Sequence, residues 1–223
     1  MSDLILYHGS VNIVEKPKFG IGKVWNDYGQ GFYCTKEKEL AKEWAVSEET
    51  NGYVNHYSIN TSKLSLLNLN DYTTLHWLAI LVANRQFAVS TPIMKHGKEW
   101  LYKNFLLPLE KYDLIKGYRA DDSYFSFAKA FLSNQISYMQ LGQAMKLGKL
   151  GEQIVIKSKK AFETIKFLGC ENVNFQTYYP KKKIRDDYAR TGYKKLLEED
   201  DINGLFIRDI LREKITENDP RLQ

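Results

Sequence analysis

Three short segments contain residue types that can bind a flat polar ligand and stabilise positive charge. Residues 6–10 place a histidine before a glycine and a serine. Residues 28–33 place a tyrosine after two glycines, and residues 151–156 place Glu152 and Gln153 before a β-branched run. An imidazole can hydrogen-bond a hydroxyl group, a tyrosine ring can cover a flat cationic ring, and a carboxylate can stabilise developing positive charge. One such segment would be weak evidence, but three together indicate a shared site.

In content and order, the three segments resemble the His, Tyr and Glu signature of ADP-ribosyltransferases, as found in poly(ADP-ribose) polymerases and diphtheria-type toxins. The resemblance implies that NAD is the co-substrate, that its bond between nicotinamide and ribose is broken, and that ADP-ribose passes to an acceptor. Transfer of a single unit to a protein is expected, because the chain carries no recognisable elongation apparatus. The resemblance also implies an α+β fold with split antiparallel sheets.

The resemblance assigns roles to single residues. His8 is expected to hydrogen-bond a ribose hydroxyl, and Gly9 is expected to let backbone groups approach the nicotinamide carboxamide. Tyr33 is expected to stack on the nicotinamide ring, with Trp44, eleven residues later, as a candidate for the opposite wall. The residues implied to bind NAD are His8, Gly9, Ser10, Gly31, Phe32, Tyr33 and Trp44.

Two positions of the signature stay open. The polymerase serine that holds the carboxamide is Ala41 here, so its contact is missing or comes from another group, such as Ser10. In the third segment the polymerase pattern makes Glu152 catalytic, whereas the pattern of arginine-modifying relatives puts Gln153 at that position. Side chains alternate along a strand, so only one of the two can face the site, and we favour Glu152. Position 150 is Leu, which removes the Glu-x-Glu pair of arginine-specific enzymes.

Other functions on the same segments remain open. The chain resembles an uncharacterised bacterial family of ADP-ribosyltransferase-like proteins from residue 4 to about residue 168, and that likeness names no substrate. An NAD glycohydrolase would use water as the acceptor. A non-catalytic module would bind NAD or a peptide, and Gln153 in place of the carboxylate would favour it. The expected partners are a protein acceptor and a cognate inhibitor protein, and the role as toxin, effector or modifier stays open.

Composition narrows the class of protein. The 223 residues carry a net charge of +5, which is modest for a nucleic-acid-binding protein, so nucleic acid is not favoured as a partner. Two cysteines favour a reducing, cytoplasmic setting, although delivery into another cell by a specialised system leaves no sequence signal. No signal peptide or membrane span is evident, so no membrane partner is expected. The histidines lack metal-ligand spacing, which predicts no metal site.

The remaining pattern indicates the elements that must hold the three segments. Periodicity predicts strands over residues 4–8, 31–35, 53–59, 153–157 and 172–178. It predicts helices over residues 36–50, 72–87, 96–106, 124–132, 137–147 and 160–167. Ser137 and Gln140 have the spacing of a capping box. We therefore expect one domain over residues 1–223, with a helical insertion at about 64–149 and a C-terminal helical extension at about 185–213.

Overall fold

The computed structural model describes residues 3–120, 122–145, 147 and 151–222, with the backbone alone at 122–124. Its strands are β1 (Asp3–Ser10), β2 (Phe32–Cys34), β3 (Gly52–Asn60), β4 (Leu66–Asn68), β5 (Leu114–Tyr118), β6 (Glu152–Ile156) and β7 (Ile165–Val173). Its helices are α1 (Lys38–Ala45), α2 (Thr74–Asn84), α3 (Pro92–Phe105), α4 (Asp122–Leu132), α5 (Tyr138–Ala144), α6 (Lys159–Phe162), α7 (Phe175–Glu198) and α8 (Ile207–Arg212). The protein is therefore α+β, as predicted.

The described residues group into two compact units. The first is built from Met1–Asn68, Pro108–Arg119 and Gly151–Arg185, and it contains all the strands given above. The second is built from Leu69–Leu107, Ala120–Leu150 and Asp186–Gln223, and it is mainly helical. The expectation of a single domain over residues 1–223 stays a prediction.

The first unit contains two sheets. One is antiparallel with the strand order β1-β3-β7, and the other has the order β2-β6-β5-β4. In the second sheet β2 and β5 run antiparallel to β6, whereas β4 runs parallel to β5. The β4–β5 edge of this sheet is therefore parallel, whereas an antiparallel sheet was expected. The first and second segments of the signature lie on different sheets, and the third lies on β6, directly beside β2.

A buried apolar cluster joins the two sheets within the first unit. Leu6 and Ile59 come from the first sheet, and Ile154 and Ile156 come from β6 in the second. Each of these side chains is at most 3% exposed, and full burial of such a side chain contributes about 1.5–3 kcal/mol. This core fixes the position of β6 relative to β1.

Helix α1 covers the other face of the first sheet. Ala41 and Ala45 lie on its buried face, in a cluster with Val54 and Val173. Small alanine side chains let the helix backbone approach the sheet closely. A Cβ atom at Gly52 would lie only 2.0 Å from the Ala45 carbonyl oxygen, so this contact requires glycine.

The second unit is held together by buried helix faces. The indole N–H of Trp100, on α3, donates to the Ile215 carbonyl at 2.7 Å. Ser137 and Gln140 form the predicted capping box at the start of α5, with side-chain to backbone bonds of 3.1 and 2.9 Å. Within the described residues, the helices are too short or too polar to cross a membrane.

Several predicted elements are wrong. The predicted helix at residues 160–167 ends at Phe162, and the predicted strand at 172–178 contains the start of α7 at Phe175. The strand between them, β7, pairs along most of β3. In addition, β4 and β5 fall inside the range expected to be a helical insertion.

Asn174 explains where α7 begins. Its side-chain oxygen accepts from the Gln176 backbone N–H at 2.8 Å, as an N-cap residue does. The tyrosines that follow, Tyr178 and Tyr179, favour a strand by propensity, but they pack against the α1 cluster from a helix. Tertiary packing therefore overrides local preference in this segment.

Candidate functional site

Strands β1 and β2 separate at the first segment of the signature. Among the described residues, their pairing is limited to a bridge in which Tyr7 and Thr35 exchange backbone hydrogen bonds of 2.8 and 2.9 Å. A regular ladder would next pair Gly9 with Tyr33. Instead, the His8 ring donates from Nδ1 to the Tyr33 carbonyl at 2.7 Å. The Gly9 N–H and C=O are therefore left facing a gap between the two strands.

The hydrogen bond of His8 fixes its tautomer. A carbonyl oxygen can only accept, so Nδ1 carries the proton and Nε2 is an acceptor in the neutral ring. Burial lowers the pKa of His8, which keeps the ring neutral at physiological pH. The ring also packs against Phe32, with the two centroids 4.4 Å apart. His8 can thus offer an acceptor to a ligand hydroxyl, as expected from the resemblance.

Gly9 is glycine for a reason that the sequence did not indicate. A Cβ atom there would lie 1.9 Å from the Ala41 carbonyl oxygen and 2.7 Å from the Ala45 nitrogen, both on the backbone of α1. The backbone of α1 therefore occupies the space that a side chain at position 9 would need. A role for Gly9 beside nicotinamide depends on its N–H and C=O at the strand edge, and not on space left by the absent Cβ.

Gly31 is also set by close packing. A Cβ atom at this position would lie 2.6 Å from Cγ1 of Val155 and 2.9 Å from the Ile156 carbonyl oxygen. Gly31 thus lets the chain enter β2 directly alongside β6. The second and third segments of the signature are in contact at this point.

Glu152 and His8 point to the same side of their strands. Tyr7 on β1 lies opposite Thr35, so these two side chains point to one face. The neighbouring residues, His8 on β1 and Cys34 on β2, therefore point to the opposite face. Cys34 lies opposite Ile154, and Glu152 is two residues before Ile154 on the same face of β6. Strand β2 therefore lies between the two side chains, and both point to the same side of it.

The carboxylate of Glu152 is accessible and paired. It lies 2.9 Å from Nζ of Lys116 on β5, and its side chain is 39% exposed. A salt bridge of this kind is screened by water, so it orients the carboxylate more than it stabilises the fold. Part of the Glu152 carboxylate is therefore open to a ligand while Lys116 orients it.

Gln153 has the opposite surroundings. It is only 3% exposed, and it shares the face of Tyr33, because Tyr33 lies opposite Val155. Its amide donates to Oδ2 of Asp27 at 2.8 Å and to the Tyr118 carbonyl at 3.2 Å. Both amide hydrogens are therefore used to hold Asp27 and β5. Of the two candidates in the third segment, the structure makes Glu152 the accessible one.

Trp44 lies where α1 approaches the third segment. The Arg119 guanidinium lies 4.9 Å from the centroid of the indole ring. One turn earlier, Leu40 packs so closely on Gly151 that a Cβ atom there would lie 2.3 Å from a Leu40 methyl group. Gly151 has a φ of +77°, which also favours glycine. Helix α1 thus contacts Gly9 in the first segment and Gly151 at the start of the third.

Ser10 is used inside the protein. Its hydroxyl donates to the Asn12 carbonyl at 2.6 Å and accepts from Nδ2 of Asn55 at 3.1 Å. Asn55 is fully buried, also donates to the His8 carbonyl, and accepts from the Val14 N–H at 2.9 Å. Asn55 therefore anchors the start of the loop that follows β1. Sequence analysis missed it, although a polar residue within the alternation of β3 was a usable signal.

The end of the same loop is held by a second set of bonds. The Tyr28 hydroxyl donates to the Tyr118 carbonyl at 2.7 Å, and the Tyr33 hydroxyl donates to the Gly29 carbonyl at 2.5 Å. The Lys157 ammonium donates to the Tyr28 carbonyl at 2.7 Å, and burial lowers the pKa of this lysine. The Tyr33 ring is thus fixed from the loop side as well as from β2.

Aromatic rings connect His8 to a cavity of about 440 Å³. Phe32, which packs on His8, lies 6.4 Å from Phe162, and Phe162 lies 5.8 Å from Phe19, both measured between ring centroids. Phe19 and Phe162 line the cavity together with Lys157. In the part of the chain that the structure describes, no cluster of three or more His, Cys, Asp or Glu side chains could hold a metal ion.

Comparison with known proteins identifies a family. The family described as "Protein of unknown function (DUF3990)" matches residues 4–167, which include β1, β2 and β6. This range agrees with the expected likeness to an uncharacterised family over residues 4 to about 168. No curated protein and no solved structure is detectably similar to the chain. The match covers most of the sequence, and the chain therefore belongs to the DUF3990 family.

Proposed function

We propose that this protein is a mono-ADP-ribosyltransferase that binds NAD in the gap beside His8 and transfers ADP-ribose to a macromolecular acceptor, most simply a protein. One observation carries the proposal. The His8 ring takes the Tyr33 carbonyl that a regular ladder would give to Gly9, which joins the first and second segments and leaves a polar backbone edge open. The third segment supplies the strand paired with β2.

The chemistry needs few groups. As the bond between the ribose C1′ atom and the nicotinamide nitrogen breaks, its electron pair leaves with neutral nicotinamide, and C1′ becomes cationic. A nucleophile of the acceptor then bonds to C1′ and loses a proton to solvent. Positioning and charge stabilisation supply most of the catalysis in such a reaction. The protein must therefore hold the nicotinamide ring, the ribose and one carboxylate.

The geometry supports Glu152 as that carboxylate. It shares a strand face with His8, it is accessible, and it lies 2.9 Å from the Lys116 ammonium. Gln153 is better suited to a positioning role, because both of its amide hydrogens bond protein groups. In this assignment the neutral His8 accepts a hydrogen bond from a ribose hydroxyl, and Trp44 binds the nicotinamide ring. Tyr33 lies on the opposite strand face, with Gln153, and joins the site through the hydrogen bond of its carbonyl to His8.

The test follows two products of one reaction. Purified protein is incubated with labelled NAD, with and without a cell lysate, and free nicotinamide and label retained on macromolecules are both measured. We expect nicotinamide release together with label on an acceptor. Nicotinamide release without label would instead indicate an NAD glycohydrolase, and NAD binding with neither product would indicate a non-catalytic module.

Two variants test the assignment of Glu152. We expect Glu152→Gln to reduce nicotinamide release by about 100-fold or more, because loss of one preorganised electrostatic group costs about that much. Glu198→Gln, which changes an exposed glutamate of α7, is the matched control and should keep full activity. Wild-type turnover by Glu152→Gln would refute the catalytic assignment.

A further inference from the structure

The indole N–H of Trp44 is a buried donor without a hydrogen-bond partner. Among the described residues, its Nε1 atom and Nε2 of His56 are the buried side-chain nitrogens in this condition. His56 still has a carboxylate nearby, since its Nε2 atom lies 3.4 Å from Oε1 of Glu171. A buried N–H left unpaired costs about 1–3 kcal/mol, so folded proteins rarely keep one without a reason.

The position of Trp44 suggests what the donor is for. Three residues earlier on α1, Ala41 touches Gly9, whose N–H and C=O face the gap between β1 and β2. Residues three apart on a helix are neighbours on its surface. Trp44 therefore lies in the turn of α1, residues 41–45, whose backbone packs on Gly9, and Arg119 covers one face of its indole ring.

Other donors near the first segment are already engaged. The Ser10 hydroxyl donates to the Asn12 carbonyl, and the Tyr33 hydroxyl donates to the Gly29 carbonyl. Position 41 has no polar side chain. The Trp44 indole N–H, by contrast, is a buried donor without a partner in the free protein, close to the turn of α1 that packs on Gly9.

We propose that the Trp44 indole N–H donates a hydrogen bond to the carboxamide oxygen of nicotinamide and so selects a ligand that carries this amide. This inference rests on the proposed binding of NAD. In it, Arg119 holds the indole ring by a cation–π contact, and the N–H gains the partner that the free protein does not give it.

The substitution Trp44→Phe tests the effect of the N–H group apart from that of the aromatic ring. Phenylalanine keeps an aromatic face for stacking and for Arg119 but cannot donate a hydrogen bond. Trp25→Phe is the matched control, because Trp25 is 59% exposed in the loop after β1. Binding is measured by calorimetry with two ligands: carba-NAD, in which a methylene replaces the ribose ring oxygen so that the glycosidic bond is not cleaved, and ADP-ribose, which lacks nicotinamide.

We expect Trp44→Phe to weaken carba-NAD binding by about 3- to 10-fold, the usual value of one hydrogen bond, and to leave ADP-ribose binding within twofold. The free variant should unfold somewhat below the wild type, because phenylalanine fills less of the space that the indole occupies, and binding is therefore measured well below both unfolding temperatures. Trp25→Phe should change the binding affinity of neither ligand.

Two results would overturn the proposal. Equal weakening of both ligands would mean that Trp44 only shapes the protein, and unchanged binding of both would mean that the N–H has no ligand role. Failure of the wild-type protein to bind carba-NAD would instead remove the proposed function itself, which keeps the two failures distinct.

Discussion

Replacing Gln153 by glutamate should turn a stabilising hydrogen bond into a repulsive contact. The resulting loss of free energy of unfolding should depend on pH. In the wild type the Gln153 amide donates to the Asp27 carboxylate at 2.8 Å, and Gln153 and Asp27 are 3% and 5% exposed. The substitution Gln153→Glu replaces the donor with a second carboxylate at almost the same position. Two buried carboxylates this close cannot both stay ionised.

The magnitude follows from the cheapest way to relieve the repulsion. At an effective dielectric constant of about 20, two unit charges about 3 Å apart repel by about 5 kcal/mol. Binding one proton at pH 7 to a carboxyl with an ordinary pKa of about 4 costs about 4 kcal/mol, so the folded variant takes up the proton. We therefore expect Gln153→Glu to lower the free energy of unfolding by about 4 kcal/mol at pH 7.

The sign of the pH dependence is fixed by that proton. Between about pH 4.5 and pH 8 the folded variant binds one proton more than the unfolded chain, so its stability falls as pH rises, by about 1.4 kcal/mol per unit. Relative to the wild type, the defect should thus shrink by about 3 kcal/mol between pH 7 and pH 5. Urea unfolding followed by tryptophan fluorescence measures the difference at each pH.

Two controls sharpen this test. Glu152→Gln changes the neighbouring, exposed residue and should alter stability by less than about 0.5 kcal/mol. The double variant Asp27→Asn with Gln153→Glu restores one donor facing one carboxylate and should recover most of the loss. A defect below 1 kcal/mol at pH 7, or one that does not change with pH, would refute the reasoning about this pair.

Other expectations follow from individual contacts. Gly9→Ala should lower the unfolding free energy by at least about 3 kcal/mol in a urea titration, because the new methyl group meets the backbone of α1, whereas Gly142→Ala, in open space on α5, should raise it by about 0.5–1 kcal/mol. Asn55→Ala should release the loop after β1, seen as faster proteolysis within residues 11–30 at unchanged conditions. Burial lowers the pKa of His8 and of His76, so their contribution to stability is complete above about pH 6.5 and should decline as pH falls below it, which urea midpoints at pH 7.5 and 5.5 will report.

Local sequence patterns were enough for much of the first unit. Strands β1, β2, β3 and β6 and helix α1 were predicted because alternation and helical periodicity are local signals. The capping box at Ser137 was predicted for the same reason. Strand β7 was missed, since Gly169 and Glu171 interrupt the apolar pattern of its less exposed face and its partner β3 lies more than a hundred residues earlier. Pairing of that kind leaves no local signal.

The resemblance proposes members for the candidate site, but their surroundings could not be predicted from the sequence. The resemblance pointed to His8, Tyr33 and Glu152, and the structure brings His8 and Tyr33 into a hydrogen bond. It could not identify Asp27 as the partner of Gln153, because the two residues meet only through the fold. For the same reason, the packing of α1 on Gly9 could not be read from a glycine alone.

The three-residue strand β2 has a consequence for the timing of synthesis. Its sheet partner, β6, lies about 120 residues further along the chain, as the pairing of Cys34 with Ile154 requires. At about 5–20 residues per second, the ribosome needs about 6–24 s to make that stretch. Throughout this interval the nascent chain holds the first two segments but lacks the strand that aligns them. A product truncated between Cys34 and Glu152 would carry His8 and Tyr33 and still be unable to assemble the candidate site.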